Sequence, residues 1–115
     1  MKLVIAAVGL MACFVAHANL EGAAENLSRC VTTYAESQLK TTKSASSIAD
    51  EAFEKCTAEL SKYHDSIGPD KTQWSGLNAQ QKEAITKMRG QTTSKVRESL
   101  SSQIVTFITE SRKSS

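Results

Sequence analysis

Two cysteines set the strongest constraint on how this chain can fold. Cys30 and Cys56 each fall on a stripe of apolar residues spaced three and four apart, which is the signature of one buried face of an α-helix. The first stripe is Leu20, Ala24, Leu27, Cys30, Val31 and Tyr34. The second is Ile48, Ala52, Phe53, Cys56, Leu60, Tyr63 and Ile67. Between them lies the small, polar stretch Thr41-Thr42-Lys43-Ser44-Ala45-Ser46. At about 1.5 Å per residue each cysteine sits roughly 14–16 Å from that connector, so an antiparallel hairpin brings the two level. A disulfide is the expected outcome in an oxidising compartment, and closing this loop is worth roughly 3–4 kcal/mol by chain entropy. Two buried free thiols are the plainer alternative. A redox pair would need the Cys-x-x-Cys spacing, which is absent, and a metal site would need further Cys or His ligands, none of which is suitably placed.

The boundaries of the second helix are also readable. Ser47-Ile48-Ala49-Asp50 reads as a start, with the Ser47 hydroxyl as cap and Asp50 in the capping-box position. Gly68-Pro69 reads as a stop, glycine for a left-handed residue and proline because it cannot continue the ladder. Beyond it, Trp74, Leu77, Ala84, Ile85, Met88, Val96, Leu100, Ile104, Phe107 and Ile108 keep helical spacing. Asn78-Ala79-Gln80-Gln81 supplies a cap with Gln at N3. The poor helix formers Gly90-Gln91-Thr92-Thr93-Ser94 interrupt the segment, which is read as two helices with a turn there. The chain is therefore expected to be all-α, a small bundle of three or four helices. Its hairpin spans residues 20–67 and its C-terminal helical segment residues 78–112.

The first eighteen residues are expected to lie outside that fold. Lys2 precedes an uncharged apolar run from Leu3 to Val15, and Ala16-His17-Ala18 fits the small-x-small rule for signal-peptidase cleavage. The run is too short to span a bilayer. Leu10-Met11-Ala12-Cys13 resembles the lipobox of bacterial lipoproteins, which would imply a lipid anchor on Cys13. The short run before Cys13 and the apolar Phe14-Val15 after it favour cleavage after Ala18 instead. The expected product is a periplasmic or extracellular domain of residues 19–115 that keeps only Cys30 and Cys56.

Charge then limits the partners. Without Lys2 the 14 basic residues become 13, against 12 acidic, so no general attraction to nucleic acid is expected. The distribution is uneven: residues 19–81 hold 6 basic and 9 acidic groups, and residues 82–115 hold 7 and 3. Trp74 lies in Gln73-Trp74-Ser75-Gly76-Leu77 between helices, as a plug for the end of the bundle or as an anchor for a partner. Together with Lys82, Lys87, Arg89, Lys95 and Arg97 it forms the candidate interaction surface. A second possibility is that the amphipathic segment from Val96 to Ile108, followed by Arg112 and Lys113, lies on an anionic membrane.

Catalytic patterns are missing from the sequence. No Walker loop, His-Glu-x-x-His or nucleophile elbow occurs, and no cofactor or metal is implied. The one histidine of residues 19–115, His64, precedes Asp65, and adjacent helical residues point about 100° apart, so Asp65 is not expected to orient it. Asn26-Leu27-Ser28 is a chance sequon, because Leu27 belongs to the buried stripe. The expected function is a non-enzymatic protein-binding module, of the kind that inhibitors, immunity proteins and envelope chaperones represent.

Overall fold

The computed structural model describes the backbone of residues 2–114 and the side chains of residues 19–114. The side chains of Ala16-His17-Ala18, and Cys13 with its lipid alternative, lie outside the described residues. Five helices follow one another: α1 (Lys2–Ser37), α2 (Ala45–Lys55), α3 (Thr57–Ser66), α4 (Lys71–Ser75) and α5 (Ala79–Lys113). No strand occurs among the described residues. "IVTFI" (residues 104–108) is β-branched and aromatic enough to suggest one, yet it lies within α5, since the chain offers no partner strand.

The core assembles from the predicted stripes. α1 contributes Leu27, Val31 and Ala35, one turn apart on one face. Ile48, Ala49, Ala52, Phe53 and Cys56 come from α2 and its end, and Tyr63 and Ile67 from α3 and its cap. α5 contributes Ile104 and Ile108. Among the described residues no polar or charged residue is buried. Each large apolar side chain taken from water adds about 1.5–3 kcal/mol, so these twelve positions supply most of the drive to fold. Cys30 and Cys56 are joined, with Sγ–Sγ 2.08 Å and Cα–Cα 6.1 Å.

Three local expectations change. The second helix starts at Ala45 with Ser44 as its cap, the Ser44 hydroxyl accepting from the Ser47 amide. Ser44 and Ser47 are equally able caps by residue type. Starting earlier gives α2 an extra turn, with Ala45 packed against the core. The second apolar stripe is also divided, into α2 and α3, at Cys56 (φ −104°, ψ 30°). The Thr57 hydroxyl donates to the Glu54 carbonyl at 2.7 Å, a local bond that competes with the helical ladder and bends it. The bridge fixes the same point.

The third change concerns residues 78–112, where α5 runs without a turn through Gly90. A helical glycine costs about 1 kcal/mol relative to alanine. Packing outweighs that cost, because Val96, Leu100, Ile104 and Ile108 seat one end of the helix on the core. The other end is held by Arg89, whose Nε donates to the Ile67 carbonyl at 2.7 Å. The predicted cap is present as a full capping box: Gln81 N donates to Asn78 Oδ1 at 2.8 Å, and Asn78 N to Gln81 Oε1 at 3.0 Å. Gly68 stands just past α3 at φ +83°, the left-handed stop that the sequence suggests.

Candidate interaction surface around Trp74

The segment that carries Trp74 is short but tightly specified. Pro69 leads into Asp70, which caps α4; Gln73 N donates to Asp70 Oδ1 at 2.8 Å and Asp70 N to Gln73 Oε1 at 3.1 Å. This capping box and the one at Asn78 flank Trp74 on both sides and fix the backbone that presents it. The indole is half-buried. Arg89 Cζ lies 5.0 Å and Lys82 Nζ 5.9 Å from its ring centroid, within cation–π range. Asp65, Pro69, Asp70, Lys71, Trp74 and Arg89 help line a cleft of about 590 Å³.

Arg89 has a second task. Its guanidinium donates to the carbonyls of Ile67 (2.7 Å) and Pro69 (3.0 Å), just past the C-terminal end of α3. That helix end carries unpaired acceptors and the negative pole of the dipole, so the cation is both bonded and electrostatically favoured. Beside it, Ile85 and Met88 lie against Gly68, where a Cβ would meet Ile85 Cγ2 at 3.4 Å and Met88 Cε at 3.5 Å. Met88 stays 39% exposed, the one large apolar side chain in the exposed class among the described residues.

The six candidate residues fall in three places. Trp74, Lys82 and Arg89 come together. Arg97 stands away from them, its Cζ 5.2 Å from the Phe53 ring centroid. Lys87 and Lys95 are exposed on the opposite side of α5, beside Gly90. Successive residues turn by about 100°, which separates Lys87 from Lys82 by more than a third of a turn. The basic segment is thus several faces.

His64 departs from its expected setting. Its Nδ1 lies 3.0 Å from Asp65 Oδ1, so the neighbouring carboxylate does pair with the ring. The 100° offset holds for Cβ directions; at the last turn of α3 both side chains reach into solvent and swing together. The pair is exposed.

Two further arrangements escape sequence reasoning. Arg112 donates to the carbonyls of Leu39 (3.1 Å), Thr41 (3.0 Å) and Lys43 (2.8 Å), in the loop after α1. Its partners are 69 to 73 residues away, so no local spacing announces it. The Tyr34 hydroxyl donates to Glu51 Oε2 at 2.6 Å, and Lys43 Nζ lies 2.9 Å from the same oxygen. The Tyr34 hydroxyl first, then the Lys43 ammonium, holds the Glu51 carboxyl below the usual carboxylate range. The same bonds raise both Tyr34 and Lys43, and burial raises Tyr63.

Cys30, Cys56 and Glu59 bring possible ligand atoms within 4.8 Å of one another. Both sulfurs are tied in the bridge, and a cystine offers no thiolate to a metal. The bridge is compatible with an oxidising, exported setting, and no helix among the described residues is long and apolar enough to cross a membrane. No protein-family model, curated protein or solved structure matches the chain.

Proposed function

We propose that the chain is an exported, non-enzymatic protein-binding module. In this reading residues 1–18 are a cleaved signal, the mature domain is a small bundle built on a bridged antiparallel hairpin, and Trp74 anchors the partner. The observation that carries the reading is the setting of Trp74: a half-buried indole with Arg89 and Lys82 both in cation–π range, at the end of α5 that also exposes Met88. Trp, Arg and Met are the residue types enriched in interfaces, and Trp and Arg dominate their energetics. Two capping boxes support the anchor by fixing its backbone, so little ordering cost falls on binding. Lys71 shares the cleft with Asp65 and Asp70, so the surface offers a partner both signs of charge around the indole.

The membrane reading draws less support. The apolar face from Val96 to Ile108 is turned to the core through Ile104 and Ile108. Arg112, the cation that would follow it, is bonded to loop carbonyls. The test is capture of partners by mature protein from an exported fraction, comparing wild type with Trp74→Ala and Lys82→Glu. Loss of the same captured protein with both variants, with unchanged circular dichroism, is the expected result; full retention with both rejects this surface. Co-sedimentation with anionic vesicles would instead revive the membrane reading.

A further inference from the structure

The two sulfurs of the bridge are unequal. Cys56 is fully buried, whereas Cys30 is partly exposed. A groove of about 700 Å³ between α1 and α3 opens onto Cys30, with Gly22, Asn26, Arg29, Glu59 and Lys62 around it. Cys56 is not among the residues lining it. Glu59 reaches across from the first turn of α3, its Oε2 3.7 Å from Cys30 Sγ. From this geometry we infer that Cys30 is the sulfur through which the bridge exchanges with external thiols, and that Glu59 slows the exchange.

The step is a displacement at sulfur. An incoming thiolate attacks Cys30 Sγ, the new S–S bond forms there, the Cys30–Cys56 bond breaks, and its electron pair leaves on Cys56 as a thiolate. A second thiolate attacks the mixed disulfide, releases the oxidised small thiol and leaves both cysteines reduced. Cys56 takes the leaving role because the attack falls on Cys30; it stands where the C-terminal end of α2 meets the N-terminal end of α3, so the two helix poles there oppose each other. Glu59 opposes both events. Its carboxylate repels the incoming anion, and it lies within 4.8 Å of Cys56 Sγ as well, where it disfavours the thiolate that leaves. Arg29 and Lys62 at the groove wall partly offset that repulsion for an anionic thiol. The reactant class is a small thiol, or the dithiol of an oxidoreductase that can reach into the groove.

Oxidised wild-type protein, treated briefly with reduced glutathione, quenched in acid and blocked with N-ethylmaleimide, reads the direction of attack. Trypsin cuts after Arg29 and Lys55, so the two cysteines fall in separate peptides, residues 30–40 and 56–62. Glutathione on 30–40 with maleimide on 56–62 is expected; glutathione on 56–62, or an even split, overturns the assignment. Glu59→Gln reads the brake. Its reduction by 2-mercaptoethanol, which attacks as a thiolate of charge −1, is expected to be about fivefold faster than wild type. With cysteamine, whose ammonium offsets the thiolate charge, the ratio is expected to be smaller. An unchanged rate rejects the brake altogether, and equal acceleration with both thiols rejects repulsion of the incoming anion.

Discussion

The two ends of α5 are held in different ways. Its C-terminal half lies on the main core, where Ile104 and Ile108 are buried among residues of the bridged helices. Its N-terminal half meets the end of α3, α4 and the Gly68 turn, where Trp74, Leu77 and Ile85 are half-buried and Met88 is more exposed. One half is stabilised by apolar burial and a covalent link. The other depends on capping boxes, a left-handed glycine and one guanidinium. Between them lies Thr93, whose buried hydroxyl has no hydrogen-bond partner. The same end that carries the candidate interaction surface is thus the one with the least to hold it, as binding segments often are.

The largest effect should come from the bridge. Replacing both Cys30 and Cys56 with alanine is expected to lower stability by about 3–4 kcal/mol, with a fall in thermal midpoint of roughly 15–25 °C. Two signals separate the halves, because Trp74 is the only tryptophan: its fluorescence reports the distal end and circular dichroism the whole. In wild type the fluorescence midpoint in urea should precede the circular dichroism midpoint, and the double variant should narrow that gap by lowering the second. Coincident transitions in wild type would mean that the two ends unfold as one unit, and the comparison would fail.

Where each half was legible follows from the range of its interactions. The stripes carrying Leu27, Val31, Ile48, Phe53 and Cys56 repeat at helical period, and a period is local information. So are the caps at Asn78 and Gly68. The continuity of α5 was not legible, because propensity at Gly90-Gln91-Thr92-Thr93-Ser94 argues for a turn and only packing at both ends overrides it. Arg89 and Arg112 were legible as cations but not as clamps. Each bonds carbonyls that only the folded chain brings near. For the candidate surface, Lys82 and Arg89 obey a seven-residue spacing on one face of α5, while Lys87, Lys95 and Arg97 share the segment but not the face, and no spacing joins Trp74 of α4 to the pair.

A second prediction strikes the distal end alone. Gly68→Ala puts a Cβ on a residue at φ +83°, a conformation that costs an L-residue about 1–2 kcal/mol. The new Cβ meets Ile85 at ordinary contact distance, so the penalty is in the backbone rather than in a clash. The Trp74 fluorescence midpoint should fall while the circular dichroism midpoint moves little, which widens the gap that loss of the bridge narrows. Equal shifts in both signals would show that the turn is coupled to the core.

The smallest effect is a pH dependence confined to the bridged half. The Glu51 carboxyl is held low by the Tyr34 hydroxyl and then by Lys43. A group with a lowered folded pKa stabilises above its unfolded value, about 4.3 for glutamate, and loses that contribution as pH falls through the folded value. Tyr34 and Lys43 are raised by the same contacts. Their contributions are complete below about 10 and are lost as pH rises through the folded values. Wild type should therefore exceed Glu51→Gln in stability across the neutral range, and the difference should shrink on both the acid and the alkaline side. All three groups lie on α1, α2 and the loop between them, remote in the fold from Trp74. The difference should accordingly appear in the circular dichroism midpoint and be nearly absent from the Trp74 signal. A difference that stays constant with pH would mean that Glu51→Gln acts through packing, and an equal difference in the Trp74 signal would join the two halves that its chemistry keeps apart.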